Sequence, residues 1–409
     1  MTTETEERSV GSAVGSIEDQ QWYHGMLPRE DINRLLKEDG EFLVRVTEPT
    51  PSSGMRTVIS TRWNGRHYHF IVGHCKGMYY VEKETFPDVV ALVEYYHRQK
   101  KPLTEATGAK LLSPVKRQKW ELRHEWIKLD RQLGEGAFGG VFAGTLTTGF
   151  TTRKVAVKVN KGKAVEKEVI EEMCKEAAIM RIFRHPNVVK FYGIAVEREP
   201  VMLVMELVEG GSLDIVLRTK KEELTVQDLT NFALGAAKGL EYLHSKNCIH
   251  RDVAARNCLV SGKEVKISDF GLSQQLSNKE KFKRADVNQR LPIRWIAPEV
   301  LETMLYSTKS DVYSFGILLW EIFSEGNVPY GKMTLAEVKT QVKSGYRLPA
   351  PYKMPKMVRK IMEEYCFPAV PEERKTMTEI RTDLEEILEK RGLFGCESKM
   401  QRLKEMGLL

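Results

Sequence analysis

The sequence lacks the features that would place this chain across a membrane or outside the cell. No apolar run approaches the roughly 18 residues of a membrane span. The start, Met1-Thr2-Thr3-Glu4, shows neither a signal peptide nor a glycine at position 2 for myristoylation. The six cysteines are scattered without a Cys-x-x-Cys pair, which argues against a zinc or redox motif. We therefore expect a cytoplasmic chain with reduced thiols.

Concentrated charge is also missing. The net charge of +7 is spread over 63 basic and 56 acidic residues, so it is a weak field and not a polybasic arm. The sequence contains no zinc finger, no RNA-binding signature and no internal repeat. We therefore expect no nucleic-acid partner and no transmembrane segment.

Length and pattern predict two domains of the α+β class. A chain of 409 residues is too long for one ordinary domain, and 42% hydrophobic residues suffice for the cores. Periodicity predicts a helix, a small antiparallel sheet and a second helix in the first domain, and strands followed by helices in the second. The predicted segments are a disordered tail at 1–21, a domain at 22–112, a linker at 113–125, a domain at 126–391 and a tail at 392–409.

One arginine stands out in the first domain. The motif Phe42-Leu43-Val44-Arg45 places it within an apolar strand, where a guanidinium needs a partner and its fork suits a phosphate. For this motif alone, a structural ion pair is the plainer alternative. The surroundings favour phosphate, because Trp22-Tyr23-His24-Gly25 lies just upstream and other suitable side chains lie nearby, namely Arg29, Thr47, His67 and His69.

From Trp22 to about Leu112 the chain resembles the SH2 family throughout. The resemblance implies that the domain binds phosphotyrosine in partner proteins. It further implies that Arg45 binds the phosphate with help from Arg29, Thr47 and His69. His67 stands where the family has a structural histidine, and we keep it among the candidates for the phosphotyrosine site.

A glycine-rich segment opens the second domain. Leu133–Val141 contains Gly-x-Gly-x-x-Gly-x-Val, in which the glycines let the backbone approach phosphates. A dinucleotide-binding turn shares this pattern but wants an acidic residue about 20 positions later. Here Val155-Ala156-Val157-Lys158 follows instead, which favours ATP. Glu176, in a helical run, can pair with Lys158, or it can be one of many solvated glutamates.

Two further motifs supply catalytic side chains. The stretch His250–Asn257 offers Asp252 as acceptor of a substrate hydroxyl proton, and Asp269-Phe270-Gly271 follows it. Asn257 and Asp269 offer oxygen ligands for Mg²⁺ between phosphates. Ala297-Pro298-Glu299 closes the segment. Together these motifs predict phosphoryl transfer from ATP with Mg²⁺ as the cofactor.

Residues 127 to 390 resemble the protein kinase family, with every catalytic position filled. Within that family the resemblance favours tyrosine as the phosphorylated residue. Ala254 replaces the lysine of serine/threonine kinases, a cation stands at Arg256, and Pro292 would pack against a tyrosine ring. The alternatives are a serine/threonine or dual-specificity kinase and, from another class, a catalytically dead adaptor that works through its SH2 domain.

The candidate site residues of the second domain form four groups. The catalytic candidates are Lys158, Glu176, Asp252, Arg256 and Asn257, and the metal candidates are Asn257 and Asp269. The substrate shelf is predicted at Pro292, Arg294 and Trp295. The ATP-binding candidates are Leu133, Gly134, Glu135, Gly136, Ala137, Phe138, Gly139, Gly140, Val141, Ala156, Lys158, Met205, Glu206, Leu207 and Leu259, of which Met205 is as compatible with core packing as with a selectivity role.

The order of the two domains and the connector Lys119-Trp120-Glu121-Leu122 resemble the Fes/Fer subfamily. That subfamily usually carries an N-terminal membrane-bending module, which we do not expect here. We expect tyrosine-phosphorylated partners, protein substrates that carry tyrosine, including in acidic contexts, and recruitment to the inner face of the plasma membrane by phosphorylated partners.

The segment from Asp269 to Glu299 lacks tyrosine, although the chain has fourteen elsewhere. In relatives, a phosphotyrosine there pairs with basic residues that include the arginine before the catalytic aspartate, here Arg251. We therefore expect that phosphorylation of this loop on tyrosine does not activate the enzyme, which would rely on SH2 docking or clustering. Glu280 or Asp286 are alternative internal anions for Arg251.

Overall fold

The computed structural model describes residues 16–49, 54–136, 139–160, 167–285 and 291–390. The predicted C-terminal tail, most of the N-terminal tail, Ala137, Phe138 and Asp286 lie outside these residues. The chain divides into two compact units, one formed by residues up to Ala177 with Tyr192–Val204, the other by Ala178–Phe191 and residues from Met205 onward. The structure is 36% helical and 26% strand, which confirms the α+β class.

The first part of the first unit consists of two small sheets and two helices. A four-stranded sheet has the order β3-β2-β1-β7, and a three-stranded one the order β4-β5-β6. Their apolar faces share a core that includes Phe42, Ile59 and Leu92, all buried. The elements are α1 (Arg29–Leu35), β1 (Glu41–Thr47), β2 (Arg56–Trp63), β3 (Arg66–Ile71), β4 (Gly73–Cys75), β5 (Met78–Val81), β6 (Glu84–Phe86), α2 (Val89–Gln99) and β7 (Ser113–Pro114).

Helix α2 shows how local sequence fixes these elements. Its N-cap, Asp88, accepts a hydrogen bond from the Ala91 backbone N–H at 2.7 Å, which satisfies one of the otherwise unpaired donors of the first turn. The apolar residues Val89, Leu92 and Val93 recur on one face and are buried, so the amphipathic pattern docks this face on the sheet.

Most of a five-stranded sheet and most of one helix belong to the second part of the first unit. The strand order is β11-β12-β10-β9-β8, and β8, β9 and β10 form an antiparallel meander. The core between them contains Val155, Val157 and Val204, all buried. The elements are β8 (Ile127–Gly136), β9 (Gly139–Thr148), β10 (Thr151–Asn160), α3 (Lys167–Met180), β11 (Phe191–Ala195) and β12 (Met202–Glu206).

The two parts of the first unit are packed together through Gly25. Its backbone has φ +57, and a Cβ there would lie 2.0 Å from the carbonyl oxygen of Val196, so no side chain fits. The next residue, Met26, donates its backbone N–H to the same carbonyl at 2.8 Å. Glycine at this position therefore allows the first part of the unit to pack closely against the second part.

The second unit is mainly helical, with paired short strands. The strand pairs are β13 with β16, β14 with β15 and β17 with β18. Helix α5 begins with a capping box of Thr225 and Asp228, and α7 with one of Ser307 and Ser310. The elements are α4 (Leu213–Thr219), α5 (Val226–Ser245), β13 (Cys248–Ile249), β14 (Cys258–Ser261), β15 (Glu264–Ile267), β16 (Gln274–Gln275), β17 (Lys283–Arg284), α6 (Pro298–Thr303), β18 (Leu305–Tyr306), α7 (Thr308–Phe323), α8 (Leu335–Lys343), α9 (Lys356–Lys360) and α10 (377–390).

Within the described ranges, no helix has both the length and the apolar composition needed to cross a membrane. Five of the six cysteines lie in these ranges and all five are free thiols, four of them buried.

Candidate functional site

A cavity of about 250 Å³ lies beside β1 and α1 in the first unit. Four of the predicted phosphotyrosine residues line it, namely Arg29, Arg45, Thr47 and His69. This volume is below the roughly 300–1,000 Å³ of sites for whole small molecules, so the cavity suits a single side chain. His67 does not line it, and its Nε2 lies 3.1 Å from the carbonyl oxygen of Leu36, at the end of α1.

Arg45 is held in this cavity with unused donors. The residue is 5% exposed, and its Nη1 donates to the Leu27 carbonyl at 3.4 Å, near the outer limit for a hydrogen bond. Its Nε has no hydrogen-bond partner among the described residues. Burial and the neighbouring Arg29 lower the pKa of Arg45 to about 10. A dianionic ligand would supply an acceptor for the Nε donor and would add negative charge beside the two arginines.

His69 faces the same cavity as a neutral ring. Burial, followed by the charges of Arg29 and Arg45, lowers its pKa to about 4. Its Nδ1 lies 2.9 Å from the Ser60 hydroxyl oxygen. A neutral imidazole can still donate one hydrogen bond from its other nitrogen, so His69 can contribute a donor to an anion without a charge.

The glycine-rich segment joins β8 and β9. Gly136 pairs with Gly139 across the two strands, on either side of the two undescribed residues. A Cβ on Gly139 would lie 1.9 Å from the Val159 carbonyl oxygen, so β9 and β10 approach closely only because this residue is glycine. The same pairing sets Val141 opposite Lys158.

Lys158 and Glu176 form an ion pair in the first unit. The Lys158 Nζ lies 2.7 Å from the Glu176 Oε2. The side chains are 18% and 5% exposed, so the pair is well shielded from water and fixes the lysine on β10 relative to α3. Of the two readings of Glu176, the paired one describes this geometry.

The catalytic-loop motif lies between β13 and β14 in the second unit. Asp252 Oδ2 accepts a hydrogen bond from the Asn257 side-chain nitrogen at 2.7 Å, and its Oδ1 pairs with Arg256. Burial raises the pKa of Asp252, against the opposing effects of Arg256 and His250. A carboxylate that is oriented at both oxygens and has a raised pKa is suited to accept a proton.

Asp311 on α7 supports the backbone of this loop. Its two carboxylate oxygens accept the backbone N–H groups of His250 at 2.8 Å and Arg251 at 2.9 Å. The residue is 1% exposed. In the same unit, Arg374 and Glu299 form an ion pair of 2.7 Å.

Asn257 and Asp269 offer the oxygen donors that Mg²⁺ prefers. The amide nitrogen of Asn257 donates to Asp252, so its oxygen is the atom available for a metal. Asp269, with φ +59, is near enough to Asp252 to raise the pKa of that carboxyl. No group of three or more metal-ligating side chains occurs in the described part of the chain. This donor set fits Mg²⁺, which takes few protein ligands and completes its shell with phosphates and water.

The substrate-shelf residues follow the loop closely. The guanidinium of Arg256 lies 4.1 Å from the centre of the Trp295 ring, within cation–π range. Arg294 donates to the carbonyls of Pro329 and Met333, both at 2.6 Å. Arg256 therefore connects Asp252 to the segment that contains Pro292.

Glu321 connects the catalytic-loop segment to the predicted substrate shelf, and sequence reasoning missed it. Its Oε2 accepts hydrogen bonds from the Trp295 indole N–H and from the Ala255 backbone N–H, both at 2.9 Å. Burial raises the pKa of Glu321 to about 7. The available signal was a lone acid in the apolar run from Ile317 to Phe323, where an unpaired carboxylate is costly.

The remaining ATP-binding candidates lie in both units. In the first unit, Ala156 is buried on β10 and Leu133 is exposed on β8. In the second unit, Met205 and Glu206 end β12, and Leu259 lies on β14. Glu206 pairs with Lys266 at 3.2 Å. Their nucleotide roles stay predictions.

Arg251 is covered by residues of its own unit. Its Nη1 donates to the Leu272 carbonyl at 3.1 Å, and its guanidinium lies 4.2 Å from the centre of the Tyr306 ring. Glu280, one of the two anions considered for Arg251, is instead engaged by Lys283 at 2.8 Å and by the Ser277 backbone N–H. Strand β17 pairs with β18, which connects this loop to Tyr306.

Two family models match the chain. Residues 22–96 match the SH2 domain, and residues 127–384 match the family described as protein tyrosine and serine/threonine kinase. The fold and the two sites thus define a protein kinase that carries an SH2 domain.

Comparison with individual proteins narrows the family to a smaller group. It is 42% identical to human Tyrosine-protein kinase Fer over 92% of this chain and 46% of that protein. It is 38% identical to the transforming protein Fps of avian sarcoma virus strain PRCII, over 89% of this chain and 67% of that protein. It is 36% identical to Fer-related kinase 1 of Caenorhabditis elegans, over 95% and 99%.

The chain belongs to the SH2-containing tyrosine kinases of the Fer and Fps group, and the predicted resemblance is confirmed. It spans less than half the length of human Fer.

Proposed function

We propose that the chain is a protein tyrosine kinase, which transfers the γ-phosphate of ATP to tyrosine hydroxyls of proteins. The observation that carries this proposal is the position of Arg256. It pairs with Asp252 and stacks on Trp295, so one cation serves both the proton acceptor and the predicted tyrosine shelf. The position two residues after Asp252 is Ala254, fully buried, where a serine/threonine kinase would place a lysine.

Each catalytic side chain has one task in this mechanism. Asp252 accepts the proton of the substrate hydroxyl as the tyrosine oxygen bonds to phosphorus and ADP departs. Asn257 and Asp269 would hold Mg²⁺, which would neutralise phosphate charge. Lys158, fixed by Glu176 at 2.7 Å, binds ATP phosphates. Most of the rate gain then comes from positioning and charge stabilisation.

Phosphoamino-acid analysis of an acidic substrate with tyrosine, serine and threonine, incubated with Mg-ATP, tests this function. We expect phosphotyrosine alone. Asp252→Asn and Asp269→Asn should each lower kcat by on the order of 10²-fold or more while the protein stays folded. Asp383→Asn, which changes a carboxylate paired with Lys375 at 3.2 Å, is the matched control. Near wild-type turnover in either catalytic variant would remove the mechanism.

We also propose that the SH2 domain binds phosphotyrosine and supports the kinase domain as well as targeting it. Contacts within the first unit support this role. The buried His24 ring lies 2.9 Å from the Glu121 carboxylate and 3.0 Å from the Val115 carbonyl. Burial alone would raise the pKa of Glu197, but hydrogen bonds from His124 and the charge of Arg117 lower it to about 2. The linker is thereby joined to His24 in the SH2 domain and to Glu197 in the kinase domain.

The partners and the location follow from these two activities. We propose that the enzyme acts in the cytoplasm and is recruited to the inner face of the plasma membrane by tyrosine-phosphorylated partners. Its loop exposes the basic residues Lys279, Lys281 and Arg284, which supports tyrosines in acidic contexts as substrates. A short linker raises the effective concentration of a bound substrate, which favours repeated phosphorylation of proteins that already carry phosphotyrosine.

A further inference from the structure

The phosphotyrosine cavity has a second wall that the SH2 domain does not supply. Three lining residues, Lys167, Ile170 and Glu171, belong to α3 of the kinase domain, within the same compact unit. Ile170 is buried, whereas the side chains of Lys167 and Glu171 are 43% and 36% exposed. The wall therefore combines an apolar base with two charged groups of opposite sign.

Charged side chains of both signs line the cavity. Arg29 and Arg45 face it as cations, and Glu48 and Glu171 line it as anions. Burial and Arg29 lower the pKa of Arg45, whereas Glu171 raises it, so this kinase carboxylate acts as a counter-charge for the phosphate-binding arginine. Glu171 also lies 4.0 Å from Lys167, one helical turn away.

We propose that α3 completes the phosphotyrosine site: Lys167 is a further cation for the ligand, and Glu171 opposes the phosphate and limits the affinity. This inference rests on the proposed binding of phosphotyrosine. A phosphate group carries about −1.5 to −2 charges at pH 7, so it replaces Glu171 as the counter-charge of Arg45. The displaced carboxylate then repels the ligand, while Lys167 attracts it. Residues of the kinase domain thus set how tightly the SH2 domain binds.

Charge variants in the full-length chain test the proposal. The probe is a short peptide with phosphotyrosine flanked by alanines, titrated by calorimetry at low salt. Glu171→Gln should tighten binding about two- to fivefold, and Lys167→Met should weaken it by a similar factor, the range of partly exposed charge pairs. Glu172→Gln makes the same charge change at an exposed neighbour that does not line the cavity and should leave the affinity unchanged.

The outcomes separate this inference from the proposed function. Equal affinities in Glu171→Gln and Glu172→Gln would overturn the role of α3, provided that Arg45→Ala still abolishes binding. Retained affinity in Arg45→Ala would instead overturn the phosphotyrosine site itself. Unchanged binding in Lys167→Met would remove the lysine from the site. The effect of Glu171→Gln should also shrink at about 1 M salt, where charges are screened within about 3 Å.

Discussion

Two buried arginines, Arg45 in the first unit and Arg251 in the second, differ in what covers them. Both are almost fully buried, at 5% and 3% exposed. Arg45 faces a cavity, and its Nη1 donates to the Leu27 carbonyl at 3.4 Å. Arg251 faces the Tyr306 ring at 4.2 Å and the Leu272 carbonyl at 3.1 Å. The Arg45 guanidinium is therefore accessible to a ligand, whereas the Arg251 guanidinium is covered by residues of the protein itself.

This difference assigns the phosphate signal to one region. A buried guanidinium is costly unless it is paired, so Arg45 gains when a phosphate enters its cavity. Arg251 already has an aromatic face and a carbonyl as partners, and its backbone N–H is fixed by Asp311. We infer that phosphotyrosine acts on this enzyme through the SH2 domain and not through the segment that follows Asp269.

The largest expected effect comes from removing the open arginine. Arg45→Ala should lower the affinity for a phosphotyrosine peptide by about 10²-fold or more, since two charge-assisted hydrogen bonds at about 1.5–3 kcal/mol each are lost. Calorimetric titration of the full chain measures it. Arg45→Lys keeps the positive charge but loses the bidentate guanidinium, so its affinity for the peptide should lie between those of the wild type and Arg45→Ala. Wild-type affinity in Arg45→Ala would refute the phosphate-binding role.

A tenfold effect is expected from uncovering the occupied arginine. Tyr306→Leu removes the ring above Arg251, and a desolvated cation–π contact contributes up to about 2 kcal/mol. We expect kcat on a tyrosine peptide to fall about tenfold, because the loop that carries Asp252 loses a support. Tyr306→Phe keeps the ring and is the matched control, with near wild-type turnover. Equal rates in the leucine and phenylalanine variants would show that the aromatic cover is unimportant.

The sequence predicted one member of this comparison better than the other. Arg45 lies in an apolar strand with Arg29, Thr47 and His69 nearby in sequence, and the structure brings these four to one cavity. The motif of Arg251 predicted only that a phosphate or an internal carboxylate would pair with it. Tyr306 lies more than fifty residues further along the chain, and no local pattern links the two.

Long-range packing explains the other residues that the sequence did not reveal. The fold class, the order of the domains and the Lys158–Glu176 pair rest on local periodicity and on short motifs, which a sequence displays directly. Glu321 and the α3 wall of the cavity depend on contacts between distant elements. Exposed lysines and glutamates such as Lys167 and Glu171 are common on helices, so their positions alone do not indicate a binding site.

A smaller effect is expected on the pH dependence of stability, because the cations around the cavity of Arg45 disfavour a further positive charge on His69. Burial and then Arg29 and Arg45 lower the pKa of His69 from 6.5 to about 4. The folded state therefore binds fewer protons than the unfolded state between these values, and stability falls as the pH drops from 6.5 toward 4. As the pH drops from 6.5 toward 4, the thermal unfolding midpoint should decrease less in His69→Asn than in the wild type. His74→Asn, at an exposed site, is the control, and a wild-type pH profile in His69→Asn would contradict the assignment.

For dephosphorylation we expect no effect on the enzymatic rate. No tyrosine lies between Asp269 and Glu299, and Arg251, which would bind a loop phosphate, is stacked on Tyr306. The strand pair β17–β18 connects the loop to this tyrosine through backbone hydrogen bonds. We expect the initial rate of the purified enzyme on a peptide to stay the same after complete phosphatase treatment. A large loss of rate that returns when residues 272–290 are phosphorylated would show that Arg251 does exchange its aromatic cover for phosphate. Tyr306→Leu provides the internal check, because removing the cover should create a dependence on added anions that the wild type lacks.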